Sequence, residues 1–467
     1  MASQSGSLRC FSPIDGQLFV ERSLADSKTI DRTLDRARVA QREWRATPLD
    51  ERCARLGKAV DAFVAQRDEI SLELTLQMGR PVAYTPLEVG GFEERAREML
   101  RLAPQALAPV VLEPKPGFER FIQRDPLGVV LVLAPWNFPY LTAVNAIVPA
   151  LAAGNAVVLK HSSQTPLCAE RLSTAFEAAG LPTGLLAHLH LSHDAALAAV
   201  GDARVDFVAF TGSVPGGRAV QRAASERFIG IGLELGGKDP AYVRQDADLA
   251  HAVETTVDGA FFNSGQSCCG IERVYVHASR FDEYVESARS LIQGYVLGDP
   301  REGTTTLGPM VRPAAADFVR GQAEEAVSAG AQALIDPAAF AAAAPGTAYC
   351  SPQLLIDVNH DMRVMREESF GPVLGVMSVR DDDEAVHLMN DSDFGLTAAV
   401  FTDDRDAAVA IGQRIETGTF FLNRCDYLDP GLAWTGVKDS GRGVTLSSLG
   451  YEVLTRPKSF HLRTQLA

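Results

Sequence analysis

Short apolar runs that alternate with helical stretches are the feature that most limits what this chain can fold into. The runs GVVLVLA (128–134), AVVLK (156–160) and DFVAF (206–210) are separated by helical segments that Gly and Pro punctuate. Continuous apolar runs are typical of strands buried on both faces, and this alternation is typical of βαβ units. A second series follows, with strand candidates at 274–277, 354–358, 373–379 and 398–401. The pattern predicts two α/β domains, each with a parallel sheet.

The length of the chain agrees with two domains. It has 467 residues, and a single hydrophobic core stops growing at roughly 250 to 300 residues. From about 26 to 101, apolar residues at spacings of three and four predict surface helices. A further helix is expected at 166–179, with Pro166 in its first turn and Gly180 after its end.

Charge excludes some partners. With 59 acidic and 44 basic residues the formal net charge is −15, so nucleic acid and anionic membranes are poor partners. The start MASQSGSLRC does not resemble a signal peptide. Every apolar run is far shorter than the roughly 20 residues that span a bilayer. These observations predict a soluble cytoplasmic protein.

The adjacent cysteines of FFNSGQSCCG (261–270) raise the question of chemistry. Seven cysteines are scattered along the chain without the spacing of a disulfide framework or a zinc site. Free cysteine is usually a small buried side chain, but a presented thiol can be a nucleophile. From the cysteines alone both interpretations stay open. The run HLHLSH brings His188, His190 and His193 close in sequence, but no nearby carboxylate or cysteine completes a ligand set, so no metal is expected.

A turn between a strand and a helix could bind phosphate. FTGSVPGG (210–217) has this position, where backbone N–H groups and the helix dipole favour an anion. The turn is not G-x-G-x-x-G, so the signal is weak by itself. Lys160 ends the preceding strand and could reach a ribose or a phosphate, or could simply be solvated.

Four separated motifs identify a family resemblance. PWNFP (135–139), LELGGKDP (233–240), FFNSGQSCC (261–269) and EESFGP (367–372) occur in this order. Together they closely resemble the aldehyde dehydrogenase superfamily, over residues from about 10 to 460. The resemblance implies an α/β fold with two Rossmann-like parallel-sheet domains and a small β-hairpin oligomerisation element, in a homodimer or homotetramer. The implied cofactor-binding domain is 1–106 with 127–236, the catalytic domain 237–445, and the oligomerisation element 107–126 with 446–467.

The resemblance also implies a reaction and the residues that perform it. Cys268 matches the nucleophile, and Cys269 its non-catalytic neighbour. The side-chain amide of Asn137 and the backbone N–H of Cys268 match the donors to the oxyanion. Glu234 matches the general base that activates water to hydrolyse the thioester. The expected activity is therefore oxidation of an aldehyde to a carboxylic acid with NAD or NADP. Transfer of the acyl group to coenzyme A is the first alternative, although Glu234 opposes it, and a non-enzymatic relative is the second.

Cofactor contacts follow from the same motifs. The matching positions are Trp136, Lys160, Ser163, Gly212, Ser213, Gly217, Leu235, Glu368 and Phe370. NAD-preferring members usually carry glutamate three residues after the lysine, where this chain has Ser163. Because a carboxylate would repel a 2′-phosphate and serine would not, we expect NADP to be accepted as well as NAD.

Substrate class is predicted from two departures. Members that act on succinate semialdehyde carry two arginines that hold the carboxylate, and these positions correspond to Asn145 and Phe262. We therefore predict an uncharged apolar or aromatic aldehyde. The residues expected along the tunnel are Phe138, Tyr140, Leu141, Asn145, Tyr427 and Trp434. Arg424 could replace the missing arginines, so an acidic semialdehyde is the alternative.

A proton relay found in many members is also missing. Its lysine and glutamate correspond to Ala146 and Thr445. Glu234 should therefore pass its proton to ordered water, with help from the Thr445 hydroxyl. We expect thioester hydrolysis to limit turnover, so rapid mixing should give a burst of reduced cofactor before a slower steady state.

Overall fold

The structure is a computed structural model and describes residues 6–465. Its strands are β1 (Ser7–Phe11), β2 (Leu18–Ser23), β3 (Val110–Val111), β4 (Phe118–Pro126), β5 (Val129–Ala134), β6 (Ala156–His161), β7 (Leu186–His188), β8 (Phe207–Thr211), β9 (Gly230–Glu234), β10 (Asp239–Val243), β11 (Ile271–His277), β12 (Gln332–Ala333), β13 (Gln353–Ile356), β14 (Val373–Val379), β15 (Phe394–Gly395), β16 (Thr397–Phe401), β17 (Thr419–Leu422), β18 (Val437–Lys438), β19 (Gly441–Arg442) and β20 (Thr455–Arg463). Its α-helices are α1 (Ser27–Trp44), α2 (Leu49–Val64), α3 (Arg67–Met78), α4 (Thr85–Ala106), α5 (Pro139–Ala152), α6 (Pro166–Ala178), α7 (His193–Gly201), α8 (Val214–Ala223), α9 (Leu249–Phe261), α10 (Phe281–Gln293), α11 (Pro313–Ser328), α12 (Arg363–Arg366), α13 (Asp382–Asn390) and α14 (Arg405–Gly412).

The first large sheet has the strand order β19-β9-β8-β5-β6-β7. All neighbours are parallel except β19 and β9. The central strand β5 is buried at every residue, as its continuous apolar sequence predicts. The carboxyl ends of β5, β6, β8 and β9 lie at one edge of the sheet. This edge carries Glu234 and the FTGSVPGG turn.

The second large sheet has the order β12-β13-β14-β11-β10-β16-β17. It is parallel apart from the β12–β13 pair. The four strand candidates of the second series all lie in it, so the prediction of two parallel-sheet domains is confirmed. The segment Leu235–Lys238 joins the end of β9 to the start of β10, and so connects the two sheets directly.

A small antiparallel sheet stands apart from both, with the order β20-β4-β3. Phe121 of β4 pairs with Phe460 of β20, and their rings stack with centroids 4.5 Å apart. The predicted hairpin and the chain near SFHL therefore form one sheet. The domain boundaries and the oligomerisation role stay predictions.

Helices form where the sequence predicts them: α1 packs on the first sheet, and α2 to α4 form a layer that packs on α5 and α6. Helix α4 packs closely on α5, because Gly91 leaves room for Leu141: a Cβ at Gly91 would lie 2.5 Å from the Leu141 Cδ2. One tunnel assignment is wrong. Tyr140 is only 1% exposed and packs edge-on against Phe63, with ring centroids 4.9 Å apart. Tyr140 faces the helical layer, whereas Phe138, just before α5, and Leu141 and Asn145 on α5 share a different face.

In the described part of the chain, no helix combines the length and the apolar character that crossing a membrane requires.

Candidate active site

The segment that carries Cys268 has an unusual backbone. After α9 ends, Asn263, Ser264 and Gly265 have φ values of 54°, 56° and 71°. A Cβ on Gly265 would lie 2.3 Å from the carbonyl oxygen of Gly371, so only glycine fits. The chain then turns before β11, and Cys268 lies half-buried in this turn. Tertiary contacts must hold such a conformation in place.

A buried arginine ties this segment to Asn137. The Arg80 guanidinium donates to the Asn137 carbonyl and to the Asn263 Oδ1, the latter at 3.2 Å. The Asn137 Nδ2 donates to the Gln266 carbonyl at 3.3 Å. Asn137 is 4% exposed. The amide proposed for the oxyanion is therefore held beside the cysteine segment by fixed partners.

The partner of Arg80 also caps a helix. The Glu88 Oε2 accepts from the Arg80 Nη1 at 2.6 Å, and both side chains are fully buried. The Glu88 Oε1 accepts from the backbone N–H groups of Tyr140 and Leu141, at 2.9 and 3.0 Å. A carboxylate is favoured at this position, the start of α5, by the unpaired N–H groups and the helix dipole. Glu88 thus joins α4, Arg80 and the PWNFP segment.

Glu234 ends β9 with both of its oxygens occupied. The Thr445 Oγ1 donates to Oε1 at 2.6 Å, and the Thr211 Oγ1 donates to Oε2 at 3.0 Å. Burial raises the pKa of Glu234, and these two hydrogen bonds oppose the rise. Behind the carboxyl lies a small cavity of about 30 Å³, lined in part by Thr445, Ala146 and Arg442. It has room for one water molecule, and most of its wall is apolar.

Two larger cavities meet at Cys268 and Glu234. One of about 590 Å³ opens between α4, α5 and α9. The other, of about 420 Å³, lies at the carboxyl edge of the first sheet. Both contain Cys268 and Glu234 in their walls. A molecule in either cavity therefore reaches the same thiol and the same carboxyl.

The cavity at the sheet edge has the features of a cofactor site. Six of the sequence-predicted residues line it: Trp136, Gly212, Ser213, Leu235, Glu368 and Phe370. Ser213 caps α8 and accepts from the Gly216 N–H at 3.3 Å, so the start of this helix faces the cavity. The Trp136 and Phe370 rings meet edge-on at 5.7 Å. These residues fit a dinucleotide with its phosphates at α8.

Three other predicted cofactor residues lie outside these walls. Lys160 and Ser163 lie at the carboxyl end of β6, the neighbour of β5. Burial lowers the pKa of Lys160. Gly217 makes a packing contact instead, since a Cβ there would lie 2.7 Å from the Leu235 Cδ2. Cofactor contact by these three stays a prediction.

Glu368 lies over the glycine pair that follows Glu234. Its Oε1 accepts from the Gly237 N–H at 3.1 Å, and a Cβ on Gly236 would lie 2.3 Å from that oxygen. Burial, followed by the Glu272 charge, raises the pKa of Glu368 to about 8. Glu272 in turn accepts from the backbone of Ser369 and pairs with the Lys238 Nζ at 2.5 Å. The EESFGP segment is therefore fixed to β11 and to the connection between the two sheets.

The cavity between the helices contains all five residues assigned to substrate in the predicted site: Phe138, Leu141, Asn145, Tyr427 and Trp434. It also contains Arg95, which sequence reasoning missed. The Arg95 Nη1 donates to the Leu141 carbonyl at 2.6 Å and to the Asn145 Oδ1 at 3.3 Å. Among residues 6–465, the Nε and Nη2 of Arg95 have no hydrogen-bond acceptor. Neither nitrogen is fully buried. This edge of the guanidinium is open to the cavity.

A signal for Arg95 was present in the sequence. The inward face of α4 carries Val89, Phe92, Ala96 and Met99, and Arg95 falls on the same face. Burial lowers the pKa of Arg95, while the carboxylate of Glu88 and the groups at the catalytic centre, Glu234 and Cys268 among them, oppose this. A charge on an apolar helix face is a functional candidate. Arg424, the alternative considered above, is exposed and stacks on the Tyr427 ring at 3.5 Å.

The second cysteine of the pair is not presented to the cavity in the same way. Cys269 is 4% exposed, and its Sγ donates to the Asp426 Oδ1 at 2.9 Å. The interaction with Cys268, followed by burial, raises the pKa of Cys269 well above its usual value. A thiol that keeps its proton is a poor nucleophile.

The histidine run is held by hydrogen bonds. The His188 Nδ1 lies 2.6 Å from the Ser173 Oγ, and the His190 Nε2 lies 3.0 Å from the Glu170 carboxylate. Within residues 6–465, no group of three His, Cys, Asp or Glu side chains could hold a metal ion.

Comparison with known proteins places the chain. The sequence profile of the aldehyde dehydrogenase family matches residues 1–460. The chain belongs to this family. Succinate semialdehyde dehydrogenase [NAD(P)+] of Escherichia coli K12 is 33% identical, and the match covers 94% of each protein. Succinate-semialdehyde dehydrogenase [NADP(+)] of Deinococcus radiodurans is 34% identical, over 96% of this chain and 93% of that protein.

A solved structure gives the same result. The NADP complex of the NADP-dependent glyceraldehyde-3-phosphate dehydrogenase of Bacillus halodurans C-125 has a TM-score of 0.93 and 30% identity, and it covers 99% of this chain and 97% of that one. This aldehyde dehydrogenase is therefore an NAD(P)-dependent oxidoreductase that acts on an aldehyde group.

Proposed function

We propose that this aldehyde dehydrogenase oxidises an aldehyde that carries a carboxylate group, a semialdehyde, to the corresponding diacid. The observation that carries the proposal is Arg95, a buried guanidinium with an edge open to the cavity that contains Cys268. The names of the relatives from E. coli and D. radiodurans support this class. Asn145 and Phe262 by themselves predict an uncharged aldehyde, but Arg95 on α4 brings to the cavity a positive charge that those two positions lack.

The chemistry begins at Cys268. Its thiolate attacks the carbonyl carbon, and a thiohemiacetal with an oxyanion forms. The side-chain amide of Asn137, which also donates to the Gln266 carbonyl, donates to this oxyanion. The nicotinamide cofactor, when bound in the cavity at the sheet edge, supplies the hydride acceptor, which leaves a thioester on Cys268.

The second half of the reaction needs a base. Glu234 takes a proton from water, the water oxygen attacks the thioester carbonyl, and the C–S bond breaks to release the acid and restore the Cys268 thiolate. Glu234 and Cys268 line the same two cavities, so a water molecule in either can lie between the carboxyl and the thioester. This arrangement supports hydrolysis over acyl transfer to coenzyme A.

Arg95 is placed to hold the distal carboxylate. Its Nη1 is fixed by α5, so the open Nε and Nη2 have a set direction. A guanidinium edge matches a carboxylate with two parallel hydrogen bonds. The aromatic walls, Phe138 and Trp434 among them, then enclose the carbon chain.

The test is Arg95→Met with a substrate pair. A hydrogen bond to a charged group contributes about 1.5–3 kcal/mol, so kcat/KM for succinate semialdehyde should fall roughly 10- to 150-fold. For butanal it should change less than about threefold by the same reasoning, because butanal has no charge to lose. Arg97→Met is the matched control, because Arg97 is on the same helix but pairs with Asp61 and Glu93 at the surface. Equal losses for both substrates would assign Arg95 to structure and refute the proposal.

The aromatic walls favour a second candidate. An apolar or aromatic aldehyde would use Phe138, Leu141, Tyr427 and Trp434 without Arg95. If parent kcat/KM for benzaldehyde and hexanal exceeds that for succinate semialdehyde, this second candidate replaces the first.

A further inference from the structure

We propose that Asp426 is a positioning residue for Cys268. It keeps Cys268 in place by accepting hydrogen bonds from the side chains of the residues before and after it. The proposal rests on the proposed role of Cys268 as nucleophile. It adds a residue that belongs to none of the four family motifs.

The contacts are direct and close. The Asp426 Oδ1 accepts from the Ser267 Oγ at 3.0 Å and from the Cys269 Sγ at 2.9 Å. Ser267 and Cys269 are both buried, at 4% exposed each. One carboxyl oxygen therefore accepts hydrogen bonds from the residue before Cys268 and from the residue after it. The side chain between them is left to face the cavity.

Asp426 is itself held by the second sheet. It follows β17 and has a φ of 47°, as Asn423 has a φ of 54°. The Asn423 side chain accepts from the Thr402 N–H at 3.0 Å and donates to its carbonyl at 2.9 Å. Such backbone conformations persist only where surrounding contacts fix them.

Cys425, the residue before Asp426, is fastened to α9. The Cys425 Sγ donates to the Thr255 carbonyl at 3.3 Å. A Cβ on Gly259 would lie 2.5 Å from that sulfur, so the two segments are in close contact. The carboxyl thus follows a segment that is anchored both to the second sheet and to α9.

The segment with Cys268 needs this support. It contains three consecutive residues with positive φ, from Asn263 to Gly265, and no helix holds residues 266–270. Loss of Asp426 would leave the buried Ser267 hydroxyl and Cys269 thiol with only each other as partners, at 3.6 Å. A displacement of about 1 Å at a reacting group can cost on the order of 100-fold in rate.

Three variants separate the acceptor from the charge. Asp426→Ala removes the acceptor and should lower kcat and the rate of Cys268 alkylation by iodoacetamide at least tenfold, with KM for NADP unchanged. Asp426→Asn keeps an acceptor oxygen and should restore at least a third of the parent kcat. The double variant Ser267→Ala/Cys269→Ala removes both donors and should match Asp426→Ala without a change at Asp426.

Coupling gives the deciding measurement. If Asp426 acts through its two neighbours, adding Asp426→Ala to Ser267→Ala/Cys269→Ala should cost less than a further twofold. Asp429→Asn, in the same segment but outside the cavity, is the control and should keep the parent kcat. The donor-free double variant remains decisive if Asp426→Ala does not fold.

Two results would overturn the inference. One is a donor-free double variant with kcat and alkylation within twofold of the parent. The other is a loss in Asp426→Asn as large as in Asp426→Ala. Cys268→Ala, measured alongside, tests the proposed function separately: if it still oxidises aldehydes, the nucleophile is wrong. If it is inactive and either of the two results above is found, only the positioning role fails.

Discussion

Glu234 shows at the scale of one residue how opposing effects set a pKa. Burial raises the pKa, whereas hydrogen bonds from Thr445 and Thr211 favour the charged form and lower it. A general base must be deprotonated, so activity is lost as pH falls through this pKa. The position where many family members have a glutamate is thus occupied by a hydroxyl that touches the base directly.

Thr445→Ala should therefore move the acidic limb of the kcat profile to higher pH. Without that hydrogen bond the carboxyl holds its proton more tightly, and the fraction of active base falls at each acidic pH. We expect kcat at pH 6 to fall about tenfold relative to the parent, and kcat at pH 9 to change less than about threefold, from the strength of a hydrogen bond to a charge. Thr435→Ala is the control, since the Thr435 Oγ1 donates to the Gly443 carbonyl and not to Glu234. A parallel drop at both pH values would contradict the assignment.

Among the secondary-structure elements, α4 contributes both to the stability of the fold and to the candidate active site. Its Glu88 is buried with Arg80 and caps α5. Removing one partner of a buried ion pair leaves an uncompensated charge, which costs about 3–5 kcal/mol. Glu88→Gln should lower the free energy of unfolding by this amount in urea titrations. Glu93→Gln disturbs only an exposed pair with Arg97 and should cost less than about 1 kcal/mol. Similar losses of unfolding free energy in the two variants would show that the buried pair stabilises the fold no more than the exposed pair does.

Strands and helices were predictable where a local pattern determines them. The run VLGVMSV coincides with β14, and AVVLK lies within β6, because a strand buried on both faces must be apolar throughout. The motifs also indicated Cys268, Glu234 and Asn137 as neighbours, and the first two share both cavities. Their catalytic roles stay predictions.

Contacts between distant elements were not predictable in the same way. Arg95 reaches the cavity only because Gly91 lets α4 approach α5. Asp426 meets residues 267 and 269 across more than 150 positions of sequence. Tyr140 was misplaced because its direction depends on how α5 rests on the helical layer. No local spacing carries this information.

For the whole molecule, the three-stranded sheet predicts association. Val110, Val111 and Leu462 are 45%, 78% and 42% exposed on it, and a small isolated sheet is marginal in water. We expect a homodimer or homotetramer by light scattering at micromolar concentration, and a smaller species for Val111→Asp. Val39→Asp alters an exposed valine on α1 and should leave the mass unchanged. A parent that is monomeric at this concentration would contradict the prediction.

The segment Leu235–Lys238 links the geometry of the catalytic residues to the arrangement of the two large sheets. It joins β9, the strand of the first sheet that ends at Glu234, to β10 of the second sheet. Gly237 in this segment contacts the Cys268 backbone so closely that a Cβ on Gly237 would lie 2.4 Å from the Cys268 carbonyl oxygen. Because Glu234 ends a strand of one sheet and Cys268 lies just before a strand of the other, the geometry between base and nucleophile depends on how the two sheets are oriented. The catalytic rate is therefore sensitive to the relative orientation of the two sheets. In dilute denaturant the rate should decline before far-ultraviolet circular dichroism detects any loss of helix or strand.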